Sequence, residues 1–148
     1  MKNINSLKQL INLITLTIIF FVACMPAFSQ CPAMNDHRSL LGGNISQLFP
    51  ATSVTSGKYT VEADIVIDKP FTFDGAVVKF ASGAGIILRD GVTLTITNST
   101  HLTSCSEGMW KGIYVQSKQE DISNIIIDNS SIIEAAITGI KVNIGYSK

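Results

Sequence analysis

The chain has 148 residues, enough for a single domain. Eleven basic residues balance eleven acidic ones. That balance is a poor footprint for nucleic-acid binding, which needs a clustered positive face.

Lys2 and Lys8 precede an apolar stretch from Leu13 to Met25, followed by Pro26-Ala27-Phe28-Ser29 with small residues at the two positions a signal peptidase reads. The stretch is too short to span a bilayer comfortably, so it reads as a secretory signal cleaved after Ser29, leaving Gln30 as the mature N-terminus and no membrane span. An alternative is a lipoprotein acylated at Cys24, after Phe21-Val22-Ala23. Cleavage takes away two lysines, leaving nine basic residues against eleven acidic ones, a net charge of about −2. Export also leaves Cys31 and Cys105, an even pair in an oxidising compartment, where a disulfide forms readily. A free, half-buried Cys105 is the other reading.

Residues 30–57 read as an N-terminal cap. Within them "SLLGGNISQLF" predicts a short amphipathic turn or helix, with Leu40, Leu41, Ile45 and Leu48 facing the first rung. From residue 58 to 148 the pattern changes to short runs of period two. Val92, Leu94 and Ile96 point one way and Thr93, Thr95 and Thr97 the other. Ile140, Val142 and Ile144 alternate likewise with Lys141 and Asn143. Asp74-Gly75, Asp90-Gly91 and Asp128-Asn129 punctuate the runs as turns. No helical period separates the strands, which argues against alternating strands and helices.

These runs repeat. Gly85-Ile86-Ile87-Leu88, Gly112-Ile113-Tyr114-Val115 and Gly139-Ile140-Lys141-Val142 begin 27 residues apart, and Asp64-Ile65-Val66-Ile67 is a looser copy upstream. Between them lie Phe73-Asp74-Gly75-Ala76, Ile96-Thr97-Asn98-Ser99 and Ile127-Asp128-Asn129-Ser130. The intervals within each repeat vary while the strand cores persist, as in a solenoid whose turns face solvent. The pattern predicts an all-β fold: a right-handed parallel β-helix of about three to four rungs with an N-terminal cap. A β-sandwich is the alternative. Asn98 and Asn129 occupy the same place in successive rungs, where asparagine suits a left-handed turn and its amide can form a ladder. The chain stops partway through a rung, which suggests a C-terminal truncation, or an exposed last rung covered by further chain or by self-association.

From Ala63 to Val142 the chain resembles the start of large secreted β-helix proteins of Bacteroidetes, with a pectin-lyase-like fold. The residues that carry the likeness are "ASGAGIILRDGVTLTITNST" followed by "SCSEGMWKGIYV". The resemblance covers about 80 residues and implies a surface or secreted protein. Members often end in a type IX secretion sorting domain, which residues 1–148 do not include. The shared fold does not carry lyase activity with it.

Candidate sites are few. Trp110 and Tyr114 are the aromatic candidates for carbohydrate contact; for Trp110 the competing reading is packing, with Met109, in a turn before the Ile113 strand. Asp68, Asp90 and Asp121 fall in separate turns, and Thr97 stands between Asp74 and Asp128, so no carboxylate pair suited to glycoside chemistry emerges. Arg38 and Arg89 are the only arginines, and Arg89-Asp90-Gly91 reads as a turn. His37 and His101 have no metal-ligand spacing with each other or with the cysteines. Asn98-Ser99-Thr100 and Asn129-Ser130-Ser131 match a glycosylation sequon, which matters in a eukaryotic source alone. No catalytic, metal or cofactor residue is expected. The expected function is a non-catalytic secreted or cell-surface module, structural or adhesin-like, with extracellular polysaccharide or matrix as partner. The alternative is the front end of a polysaccharide lyase or hydrolase whose active site lies on rungs outside this chain.

Overall fold

The structure is a computed structural model that describes residues 31–32, 35–105, 108–118, 120–128 and 130–145. The expected signal peptide, its cleavage site and Cys24 lie outside the described residues. The first coil is β1 (Arg38–Leu40), β2 (Gly43–Asn44), a single helical turn α1 (Ile45–Leu48) and β3 (Ser53–Thr55). The second is β4 (Lys58–Val61), β5 (Ile65–Ile67) and β6 (Phe71–Asp74), and the third β7 (Val77–Phe80), β8 (Ile86–Leu88) and β9 (Thr93–Thr97). The fourth is β10 (His101–Ser104), β11 (Ile113–Lys118) and β12 (Asn124–Ile127), followed by β13 (Ile132–Ile133) and β14 (Ile140–Gly145).

Every pairing is parallel, and each strand pairs with its counterpart in the next coil. Sheet A is β1-β4-β7-β10-β13, sheet B is β2-β5-β8-β11-β14 and sheet C is β3-β6-β9-β12. The chain is therefore a parallel β-solenoid of a little over four turns, with three walls around one apolar interior. Residues 38–55, expected as a cap, pair in register with the second coil and so extend all three walls. Of the residues expected to face the first rung, Leu40 and Ile45 are buried and Leu48 is half-buried, but Leu41 is 80% exposed. It follows inward-facing Leu40 directly, and the period of two turns it outward.

The alternation fills the interior by stacking like on like. Ile65, Ile86, Ile113 and Ile140 form one column of sheet B, and Ile67, Leu88, Val115 and Val142 its neighbour. Val54, Phe73, Ile96 and Ile127 do the same in sheet C. Leu40, Val61 and Phe80 line sheet A. The columns are sealed through the middle coils and open at the last, where Ile140 is 42% and Val142 59% exposed. Together with Val115, Ile125 and Ile127 they line a hollow of about 670 Å³.

Glycine precedes β8, β11 and β14, and at Gly112 it has a steric reason. Its φ is +95°, and an added Cβ would lie 1.5 Å from the carbonyl oxygen of Thr138 in the next coil. Only a residue without a Cβ lets the two backbones approach there. A stacked column also predicts a large cost for trimming it. Ile96→Ala should destabilise the fold by about 2–5 kcal/mol, read as a lower urea midpoint, while Thr95→Ala on the outer face should change it far less. Equal midpoints for the two variants would contradict the inward assignment.

Candidate functional site

The turn from sheet A to sheet B in the fourth coil carries "SCSEGMWKGIYV". Trp110 is 0% exposed and stacks on Phe80, with ring centroids 4.3 Å apart and planes 11° from parallel. Its indole Nε1 donates to the carbonyl of Glu134 at 2.7 Å, and its backbone bridges to Ala136 of the next coil. A ring held on one face by Phe80 and at its edge by a neighbouring backbone has no face left for a sugar. Trp110 is therefore packing, and its carbohydrate-contact reading is withdrawn. Met109 beside it points outward.

Cys105 lies just beyond β10 and is joined to Cys31 by a disulfide, with Cα atoms 5.4 Å apart across a separation of 74 residues. The Cys31 amide donates to Glu62 Oε2 at 3.1 Å, so the bridge fastens the start of the described chain against coils two to four. Closing a loop of that length contributes roughly 4 kcal/mol on chain-entropy grounds. The double variant Cys31→Ser/Cys105→Ser should lose stability of about that size, and the parent under reducing agent should behave the same way. A variant as stable as the parent would remove the bridge from the account of stability.

The turn from sheet C to sheet A repeats from coil to coil. Ser56, Gly75 and Asn98 hold φ of 53°, 64° and 54° at the same place in three coils. Ser56 N donates to the Asp74 carbonyl at 2.8 Å, Gly75 N to the Thr97 carbonyl at 3.0 Å, and Asn98 N to Asp128 Oδ2 at 2.6 Å. The Asn98 side-chain amide donates to Asp74 Oδ1 in the coil before. Asn129 lies outside the described residues. Asp128 also accepts from Thr97, Ser130 and Ser131. These donors, the Ser131 hydroxyl foremost and then the Asn98 amide, hold its carboxyl well below the usual range.

A depressed folded-state pKa means that Asp128 stabilises the fold above its unfolded pKa, near 3.8. That contribution is lost as pH falls through the folded value. The melting temperature should therefore fall below about pH 4, and Asp128→Asn should fall less steeply over the same interval. Identical slopes for parent and variant would show that Asp128 is not a source of the acid sensitivity.

Other charged groups also bond across coils. Lys111 Nζ meets both oxygens of Asp64 at 2.9 and 2.8 Å, Lys118 meets Asp90 at 2.9 Å, and the Ser46 amide donates to Asp68 at 3.0 Å. His101 Nε2 pairs with Glu134 at 2.7 Å, and that bond, with a second from Thr103, lowers the Glu134 pKa. His37 pairs with Asp36, which in turn takes the Lys58 ammonium. Among the described residues, no three histidine, cysteine or acidic side chains gather in a metal-binding arrangement.

The outer face of sheet B differs. Asp64, Gly85, Ile87, Lys111, Tyr114, Gln116 and Asn143 line a groove of about 340 Å³ there. Tyr114 points outward from β11, half-buried, between Ile87 of the preceding coil and Lys141 of the next. The Lys141 ammonium stands 5.5 Å from the centre of its ring. Only the tyrosine of this group stood out in the sequence. The groove depends on which outward residues of different coils become neighbours, and alternation within one strand does not show that. Compared with models of protein families, with curated proteins and with solved structures, the chain matches none. The likeness to secreted Bacteroidetes β-helix proteins rests on its motifs alone, and the fold established for the chain is the parallel β-solenoid.

Proposed function

We propose that this chain is a non-catalytic secreted or cell-surface β-solenoid module that contacts extracellular polysaccharide along the outer groove of sheet B. The observation that carries the reading is that groove: an aromatic ring, Tyr114, beside amide and ionic side chains on a rigid wall. Sugar rings bind proteins through such a pairing of an apolar face with nearby hydrogen-bonding groups. A wall of stacked strands fixes the backbone beneath those groups in advance, so the ordering cost of binding falls on the side chains alone. Export is supported by the sequence of residues 1–29, and the Cys31–Cys105 bridge suits an oxidising compartment. The many charged side chains bonded from coil to coil fit a structural role for the rest of the surface.

The test is affinity electrophoresis of the purified chain through gels containing a panel of plant, algal and bacterial polysaccharides. At least one should retard the parent, and Tyr114→Ala should weaken that retardation roughly fivefold to tenfold without lowering the melting temperature. Retardation by none of the panel, or retardation indifferent to Tyr114→Ala, would overturn the reading.

A further inference from the structure

Four outward positions on the last two strands of sheet B form a block. Tyr114 and Gln116 stand on β11, and Lys141 and Asn143 stand opposite them on β14, paired Tyr114 with Lys141 and Gln116 with Asn143. Neighbours across the strands are about 4.8 Å apart and alternate residues along one strand about 6.7 Å, close to the footprint of one sugar ring. The polar side chains of this block differ from those around them. Lys111, at the other side of the groove, is matched by both oxygens of Asp64, and Lys118 is matched by Asp90. Lys141, Gln116 and Asn143 are exposed, and their side chains have no hydrogen-bond or ion-pair partner among the described residues. Among the described residues, Lys141 meets only the Tyr114 ring.

Resting on the polysaccharide reading above, we infer that the groove selects sugars bearing an anionic group, a carboxylate or a sulfate, and that Lys141, which flanks the groove across the Tyr114 ring and does not line it, is the residue that selects them. The Tyr114 ring faces the C–H side of the sugar, the Gln116 and Asn143 amides bond its hydroxyls, and the Lys141 ammonium bonds the anion. A hydrogen bond between two charged groups is roughly twice as strong as one between neutral groups, and it gives the groove a preference that hydroxyls alone do not supply. The Asp64 carboxylate, the negative group at the groove, does not oppose the ligand because Lys111 neutralises it at contact distance.

Titration calorimetry of the full chain with polygalacturonate, dextran sulfate and neutral dextran tests this. At least one anionic polymer should bind about tenfold more tightly than dextran, and raising the salt concentration should weaken that binding. Lys141→Gln should remove the preference while leaving the melting temperature unchanged. Binding by one anionic polymer alone identifies carboxylate or sulfate as the group recognised. Anionic polymers held no more tightly than dextran, or a preference that survives Lys141→Gln, would overturn the selectivity. If Tyr114→Ala weakens binding in that case, the polysaccharide reading stands without the selectivity. No binding to these three polymers overturns the selectivity, and the broader gel panel then decides the polysaccharide reading by itself.

Discussion

The structure depends on one constraint: each coil must present its inward aliphatic side chains directly above those of the coil before. Parallel pairing at constant register does this, and the sheet B column of four isoleucines is its plainest instance. Magnitudes decide between the core and the surface as the source of stability. Burying one isoleucine contributes about 1.5–3 kcal/mol, whereas an exposed ion pair contributes about 0–1 kcal/mol. Among the described residues, two dozen apolar ones are buried in the core. The polar bonds between coils are therefore of secondary weight for stability, and they fix turn geometry instead.

That division explains why the turns look alike without sharing a sequence. Ser56, Gly75 and Asn98 adopt one left-handed backbone conformation, which glycine takes freely and asparagine tolerates. Each places its amide under a group from the next coil, a carbonyl in two cases and the Asp128 carboxylate in the third. The extra residues of the later coils fall in turns. One such lengthened turn holds Trp110, whose indole fills the corner between sheets A and B against Phe80.

The fold was legible in the sequence because its cause is periodic. Alternation marked the inward residues, and the spacing of Ile86, Ile113 and Ile140 marked which of them stack. The first coil was harder to read. Gly43 and Asn44 supply only a short strand without aliphatic side chains, so nothing in the sequence shows that they pair with Ile65 and Val66. Trp110 illustrates a different limit. Exposed and buried tryptophans look alike in a sequence, and the partner that decides the matter, Phe80, lies 30 residues earlier on another coil. The groove at Tyr114 was half legible for the same reason: the ring could be named, but its neighbours Asp64, Ile87 and Asn143 come from different coils.

The covalent bridge has a mechanical consequence. In a stack where each coil touches only its neighbours, a pulled chain peels away one coil at a time, starting from whichever end carries the load. The Cys31–Cys105 bond shunts tension past the strands between them, so coils one to three are shielded when force enters at Cys31. Under load, the residues beyond Cys105 are the ones that unwind. A tether built this way lengthens at one end while the other stays intact, and the wall carrying Tyr114 lies in the part that gives.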